Sequence, residues 1–166
     1  MDNFFSEIND FIEDSGRDIK FKFGDKIVNI SEDHTPVFSY DYLNLNPECE
    51  FNFCSDKITI EDYKQYFNRV NELSQIYIGE LIDSSDHTDH FHILNSPNRV
   101  LKGLLKETFN CEKFDQTNMP TLGQFSLYSK GKNKPHRIFF LIGQLGFLYL
   151  LYFDAEHKIF SATSNN

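Results

Sequence analysis

"IFFLIGQLGFLYLLYF", Ile138 to Phe153, is the longest apolar run in the chain, and its reading decides the fold. A helix that crosses a bilayer needs roughly 18 or more consecutive apolar residues. This run is shorter, is interrupted by Gln144 and two glycines, and is rich in Phe and Tyr. It therefore reads as two buried strands, "RIFFLI" and "FLYLLYF", joined by the turn "GQLG". Upstream, "QFSLYS" supplies a third strand, and "KGKNKPH" links it to the second. Both links are hairpin-like. "KIF" at 158–160 is expected to extend the last strand, and "SATSNN" to fray.

Further back the period changes from strand to helix. Thr59 followed by Asp62 has the form of a capping box. Tyr63, Tyr66, Phe67, Val70, Leu73, Tyr77, Ile78 and Leu81 then trace one apolar stripe, which predicts one long helix ending near Asp83. In "NSPNRVLKGLLKETFN", Ser96 is the expected cap and Pro97 fits the first helical turn. Val100, Leu101, Leu104, Leu105 and Phe109 form the apolar face of that second helix. At the front, Phe4, Phe5, Ile8, Phe11 and Ile12 share one face of a helix over 3–14. Short alternating stretches follow: 19–23, "KIVNI", "VFSYDYL" and "CEFNFC". They read as an antiparallel meander. The order is helix, meander, long helix, helix, three strands, which is an α+β fold on an antiparallel sheet. A length of 166 residues suits a single domain over 1–166, with a division into 1–58 and 59–166 as the alternative.

An aromatic content of 16%, with 18 Phe and no Trp, excludes a chain that is disordered throughout. The cysteines, Cys49, Cys54 and Cys111, are odd in number, and Met1 leads into the acidic "DNFFSEINDF" rather than a secretory leader. A reducing, cytoplasmic setting is expected. The net charge of −9 is unevenly spread. Residues 1–96 hold 7 Lys/Arg against 20 Asp/Glu, and residues 97–166 hold 9 against 5. The two parts are suited to different partners, or to each other.

Three constellations bear on chemistry. "SSDHTDHFHIL" concentrates histidines and carboxylates. On a strand His90 and His92 share a face, and His87 adds a third donor, so the three form the candidate zinc set. Zinc is the one cofactor candidate; the plainer reading is a polar loop entering a strand. The loop "SKGKNKPHR" sets Lys130, Lys132, Lys134, His136 and Arg137 beside aromatic strands. Charge for phosphates next to flat rings for bases is what RNA recognition uses. Lysine-rich hairpin loops also serve solubility and block edge pairing. The ending "FDAEHKIF" brings Asp154, Glu156, His157 and Lys158 together, a set able to move protons or to close a polar turn.

From residue 59 onward the order of elements resembles the RelE/ParE-type toxin superfamily. The residues that carry the likeness are the helical stripes Tyr63–Leu81 and Val100–Phe109 with "QFSLYS", "KPHRIFFLI" and "FLYLLYFDAEHKIF". The resemblance implies strands that present basic and aromatic groups to messenger RNA on the ribosome, or a gyrase-directed surface. It implies His136, Arg137, Tyr152, His157 and Lys158 as catalytic candidates and Tyr149 as a further functional position, which joins Lys130, Lys132 and Lys134 of the basic loop as a nucleic-acid contact. This chain is longer and more acidic than such toxins.

Three functions are therefore expected to compete. One is an RNA-interacting or ribonuclease-toxin-like protein that cleaves without metal. The second is an acidic inhibitor or adaptor whose front, including Asp10, Glu13, Asp14, Asp18, Asp25, Glu32, Asp33 and Asp41, binds a basic protein. The third is a metal-dependent hydrolase built on His87, His90 and His92. No membrane role is expected.

Overall fold

The computed structural model describes residues 32–83, 91–111, 121–128 and 135–160. The expected helix over 3–14 and the strands at 19–23 and 26–30 lie outside the described residues. In chain order the elements are β1 (Val37–Ser39), α1 (Ile60–Leu73), α2 (Ile78–Asp83), β2 (His92–Ile93), α3 (Arg99–Phe109), β3 (Leu122–Ser126), β4 (Arg137–Ile142) and β5 (Phe147–Asp154). The strands form one sheet in the order β1-β5-β4-β3-β2.

The apolar run folds as two strands, and β3, β4 and β5 pair antiparallel. The chain is a mixed α+β protein whose sheet is mostly antiparallel. It departs from a purely antiparallel sheet at one edge, where β1 joins β5 parallel, Val37 opposite Phe147. No hairpin links these two strands, so no turn dictates their relative direction.

The run is continuously apolar because both faces of the sheet are covered. Ile138, Phe140 and Ile142 pack with Leu73, Ile78 and Leu81 of α1 and α2. Phe139 and Leu141 pack with Leu101 and Leu105 of α3. On β5 the alternation slips: Leu148, Leu150 and Phe153 face α1, whereas Leu151 and the adjacent Tyr152 both face α3. A register shift opposite Phe139 and Phe140 accounts for this. Such a bulge sets two residues against one and reverses the facing pattern beyond it. Between β4 and β5, Gly146 has φ +80, and a Cβ there would lie 2.9 Å from the Thr35 carbonyl oxygen. Only glycine suits that position.

α1 begins as its sequence requires. The Thr59 side chain accepts from the Asp62 N–H, and Asp62 reaches back to the Thr59 N–H at 2.8 Å. The single long helix expected here is instead two. α1 ends at Leu73, and the N–H groups of Ile78 and Gly79 bond to the carbonyls of His34 (2.9 Å) and Glu32 (3.0 Å). Those carbonyls come from before β1 and restart the helix in a new phase. α3 starts one cap later than expected. Asn98, not Ser96, is its N-cap, accepting from the Leu101 N–H at 3.0 Å.

Two expected strands are absent among the described residues. In "CEFNFC", Asn52 accepts from the Cys54 N–H at 2.7 Å, a turn that asparagine forms with its own backbone. The alternation there is real but serves another end: Phe51 joins the α3-side core and Phe53 the α1-side core. "KIF" does not extend β5 either, because the Asp154 carboxylate accepts from the N–H groups of Lys158 (2.9 Å) and Ile159 (2.8 Å) and turns the chain. Among the described residues no helix is long and apolar enough to cross a membrane.

Candidate functional site

Strand alternation divides the candidate residues. His136 and Arg137 are neighbours in sequence at the start of β4, yet they face opposite sides of the sheet.

On the α1 side the centre is Asp62, buried at the first turn of α1. Its carboxylate accepts from the Thr59 hydroxyl at 2.7 Å and from the Tyr128 hydroxyl. The His136 Nε2 lies 3.5 Å away, and its side chain is 12% exposed. The imidazole stands edge-on to Tyr128 and to Phe153. Tyr128 and His136 flank the segment that carries Lys130, Lys132 and Lys134, and those lysines lie outside the described residues. Asp62 thus holds both chain ends of that basic connection. Beside it, buried Arg69 donates from Nε to the Ser126 carbonyl at 3.3 Å and from its guanidinium to Glu72 at 3.0 Å. A buried carboxylate with this many donors is a strong structural tie.

On the α3 side Arg137 sits opposite Asp154 in the ladder. Its guanidinium folds back to donate to the carbonyls of Pro135 (3.1 Å) and His136 (3.0 Å). Burial holds Arg137 below its ordinary pKa, with Asp154 opposing that shift. His157 has φ +56, and burial, assisted by the Arg137 charge, lowers its pKa while Asp154 again opposes. Arg137, Asp154 and His157 therefore share one end of the sheet. Lys158 points away into a surface ring in which it and Lys57 each bind both Glu50 and Glu156. Hydrogen bonds from Lys158 and Lys57 hold Glu156 at about 2.

Tyr152 is inaccessible to solvent, and its hydroxyl shares a 2.6 Å hydrogen bond with Thr108 of α3. Burial pushes its pKa far up. Tyr149 is half-buried against Tyr42, ring centroids 5.4 Å apart, and stacks on Phe147. His92 is a half-buried member of β2 opposite Gln124; His87 and His90 lie outside the described residues. Among the described residues no three metal-ligating side chains cluster.

The outward side of α1 and α2 bears no resemblance to a hydrophilic shell. Ile60 is 77% exposed, Phe67 61% and Tyr77 52%. Ile60 and Phe67 are two turns apart on one line of α1. Around them Glu61, Glu72, Glu80 and Asp83 are exposed, as are Glu32 and Asp33, which adjoin the start of α2. Lys64 is the one exposed cation of α1 and α2. The apolar stripe read from the sequence included Phe67 and Tyr77 as core; Tyr77 falls in the break between the two helices, and Phe67 lies off the buried face of α1, which runs through Asp62, Tyr66, Arg69 and Leu73. Lys64, four residues after Ile60 and three before Phe67, lies between the two and pairs with Glu61 at 3.9 Å. Large apolar side chains set among charges of mostly one sign are what protein interfaces use.

Comparison with protein-family models, with curated proteins and with solved structures returned no match.

Proposed function

We propose that this chain is a non-enzymatic binding protein, an acidic inhibitor or adaptor, that grips a basic protein through the outer face of α1 and α2. The observation that carries the reading is exposed Ile60, Phe67 and Tyr77 among the carboxylates of Glu61, Glu72, Glu80 and Asp83. Aromatic anchors supply affinity when a partner seals them from water, and the carboxylate rim steers a basic partner and selects against acidic ones. The division of the candidate catalytic groups favours binding over catalysis. His136 and Arg137 are on opposite faces of the sheet, and the Tyr152 hydroxyl is sealed beneath α3.

The test is to isolate the full chain without nuclease treatment at low salt. A stoichiometric basic protein that is lost at high salt, and lost in Phe67→Ser or Glu72→Lys/Glu80→Lys, is the expected result. Retention by both variants overturns the reading. A high 260/280 nm ratio that falls with salt, with no protein partner, favours instead the RNA-interacting reading centred on Lys130, Lys132 and Lys134. With no Trp in the chain, bound nucleic acid is easily detected.

A further inference from the structure

Away from that face, a cleft of about 380 Å³ opens between the segment Asp41–Asn46 and α3. Its volume falls within the range of small-ligand sites. Tyr42, Leu45 and Leu104 supply its apolar lining, and Asp41, Glu107 and Asn46 its polar groups. The outer wall is built rather than slack. The Asn44 side chain accepts from the Asn46 N–H at 2.9 Å, the Asn46 side chain accepts from the Glu48 N–H at 3.1 Å, and the Asn44 N–H bonds to the Leu151 carbonyl on β5 at 2.9 Å. The Tyr42 ring is fixed between Phe109 (5.1 Å) and Tyr149 (5.4 Å). The cleft therefore combines a positioned aromatic ring, an apolar lining and two exposed carboxylates, with no basic side chain in its lining.

From this geometry we infer a binding site for an organic cation, an alkylammonium or alkylguanidinium group whose chain lies on Leu45 and Leu104 and whose charge is shared by Asp41, Glu107 and the Tyr42 ring. Cations are attracted to the face of an aromatic ring, and more strongly where water is displaced. An anionic ligand meets two carboxylates here and is rejected. The site does not rest on the α1/α2 face, and it stands or falls separately from the proposed function.

The experiment is an amide chemical-shift titration of the full chain with n-butylammonium and n-butylguanidinium, with n-butanol as the neutral control. Expected are saturable shifts confined to Asp41–Asn46 and Leu104–Thr108, with a dissociation constant in the millimolar range. In Asp41→Asn/Glu107→Gln the affinity should fall about threefold or more, the loss of two exposed ion pairs. Both positions are exposed, so the variant keeps the fold, which its own spectrum reports. Equal shifts with n-butanol overturn the inference, because the cleft is then merely apolar. So do shifts restricted to carboxylates elsewhere, unchanged affinity in the double variant, or no saturable shift at all.

Discussion

Gly123 tests the packing of the sheet most directly. A methyl group added there would lie 2.3 Å from Cζ and 2.5 Å from Cε2 of Phe140, its partner in the β3–β4 ladder. The ring of Phe140 lies over the glycine and is itself inaccessible to solvent, held between Phe91 (5.0 Å) and Phe125 (5.9 Å). Two effects oppose each other in Gly123→Ala. Removing a glycine from a strand gains roughly 0.5–1 kcal/mol from the backbone. Forcing atoms into a filled core costs about 1–3 kcal/mol, and a ring with neighbours on both sides has no easy escape, so the upper part of that range applies. The net loss is about 1–2 kcal/mol, a fall in Tm of roughly 2–8 °C for a chain of this size. The assay is urea and thermal unfolding of Gly123→Ala, Phe140→Leu and the double variant. Phe140→Leu is destabilising alone, but in the double variant the smaller side chain should accept the methyl group. The double variant is then more stable than the sum of the single effects by about 1 kcal/mol or more. A neutral or stabilising Gly123→Ala, or strictly additive losses, would refute the argument.

Other consequences are as definite. Asp62→Asn removes a carboxylate that Thr59, Tyr128 and the α1 cap all use, and should cost about 2–3 kcal/mol in urea unfolding; an unchanged midpoint would show that Asp62 does not tie α1 to the strands. Tyr152→Phe loses the Thr108 hydrogen bond and should cost about 0.5–1.5 kcal/mol while leaving partner capture intact; loss of capture without loss of stability would assign Tyr152 a functional role. In the surface ring Glu156 is lowered from its ordinary 4.5 to about 2 and Glu50 is lowered as well. A depressed carboxylate stabilises the fold above its unfolded pKa and loses that contribution as pH falls through the folded one. The ring's contribution is therefore complete above pH 4.5 and fades toward pH 2, and hydrogen exchange of the Glu156–Lys158 amides should rise relative to a Lys57→Ala/Lys158→Ala variant over that window. The effect weakens in salt because every member is exposed. An identical pH profile in the two proteins would remove the ring from the account.

Much of the fold was legible where one segment carries its own instruction. Residues 138–153 are too broken for a membrane helix, and their unrelieved apolarity states that both faces are covered. Thr59 and Asp62 mark a helix start from four residues alone. What was not legible depends on distant partners. The helix break after Leu73 is fixed by the carbonyls of Glu32 and His34, some forty residues upstream, and no period within 59–83 reveals them. Tyr77 fitted the apolar stripe only so long as one helix ran on past Leu73, and Phe67 fitted it although the buried face of α1 runs through Asp62, Tyr66, Arg69 and Leu73, two of them charged. "CEFNFC" alternates like a strand because its two phenylalanines do reach opposite cores, but Asn52 closes a turn between them. The candidate site suffered a different error. His136 and Arg137 were grouped because they are adjacent, although adjacency on a strand separates side chains rather than joining them. Asp62 was read as a cap and nothing more, and its capping role concealed that the same carboxylate meets Tyr128 and His136.

The charge asymmetry takes on a spatial meaning once the sheet is in place. α1 and α2, from the acidic front of the chain, lie on one face and expose Glu61, Glu72, Glu80 and Asp83. α3, from the basic part, lies on the other and exposes Arg99, Lys102 and Lys106. With three layers of about 10 Å each, the two outer faces stand roughly 30 Å apart. The Debye length at physiological salt is about 8 Å, so a partner near one face scarcely senses the other. The net charge of −9 is then a poor description of what any partner meets. A basic protein approaching α1 and α2 encounters an acidic surface with aromatic anchors, and the cations of α3 are too far away to repel it. Which partner binds is decided by the local face, and the sheet keeps the two faces electrically separate.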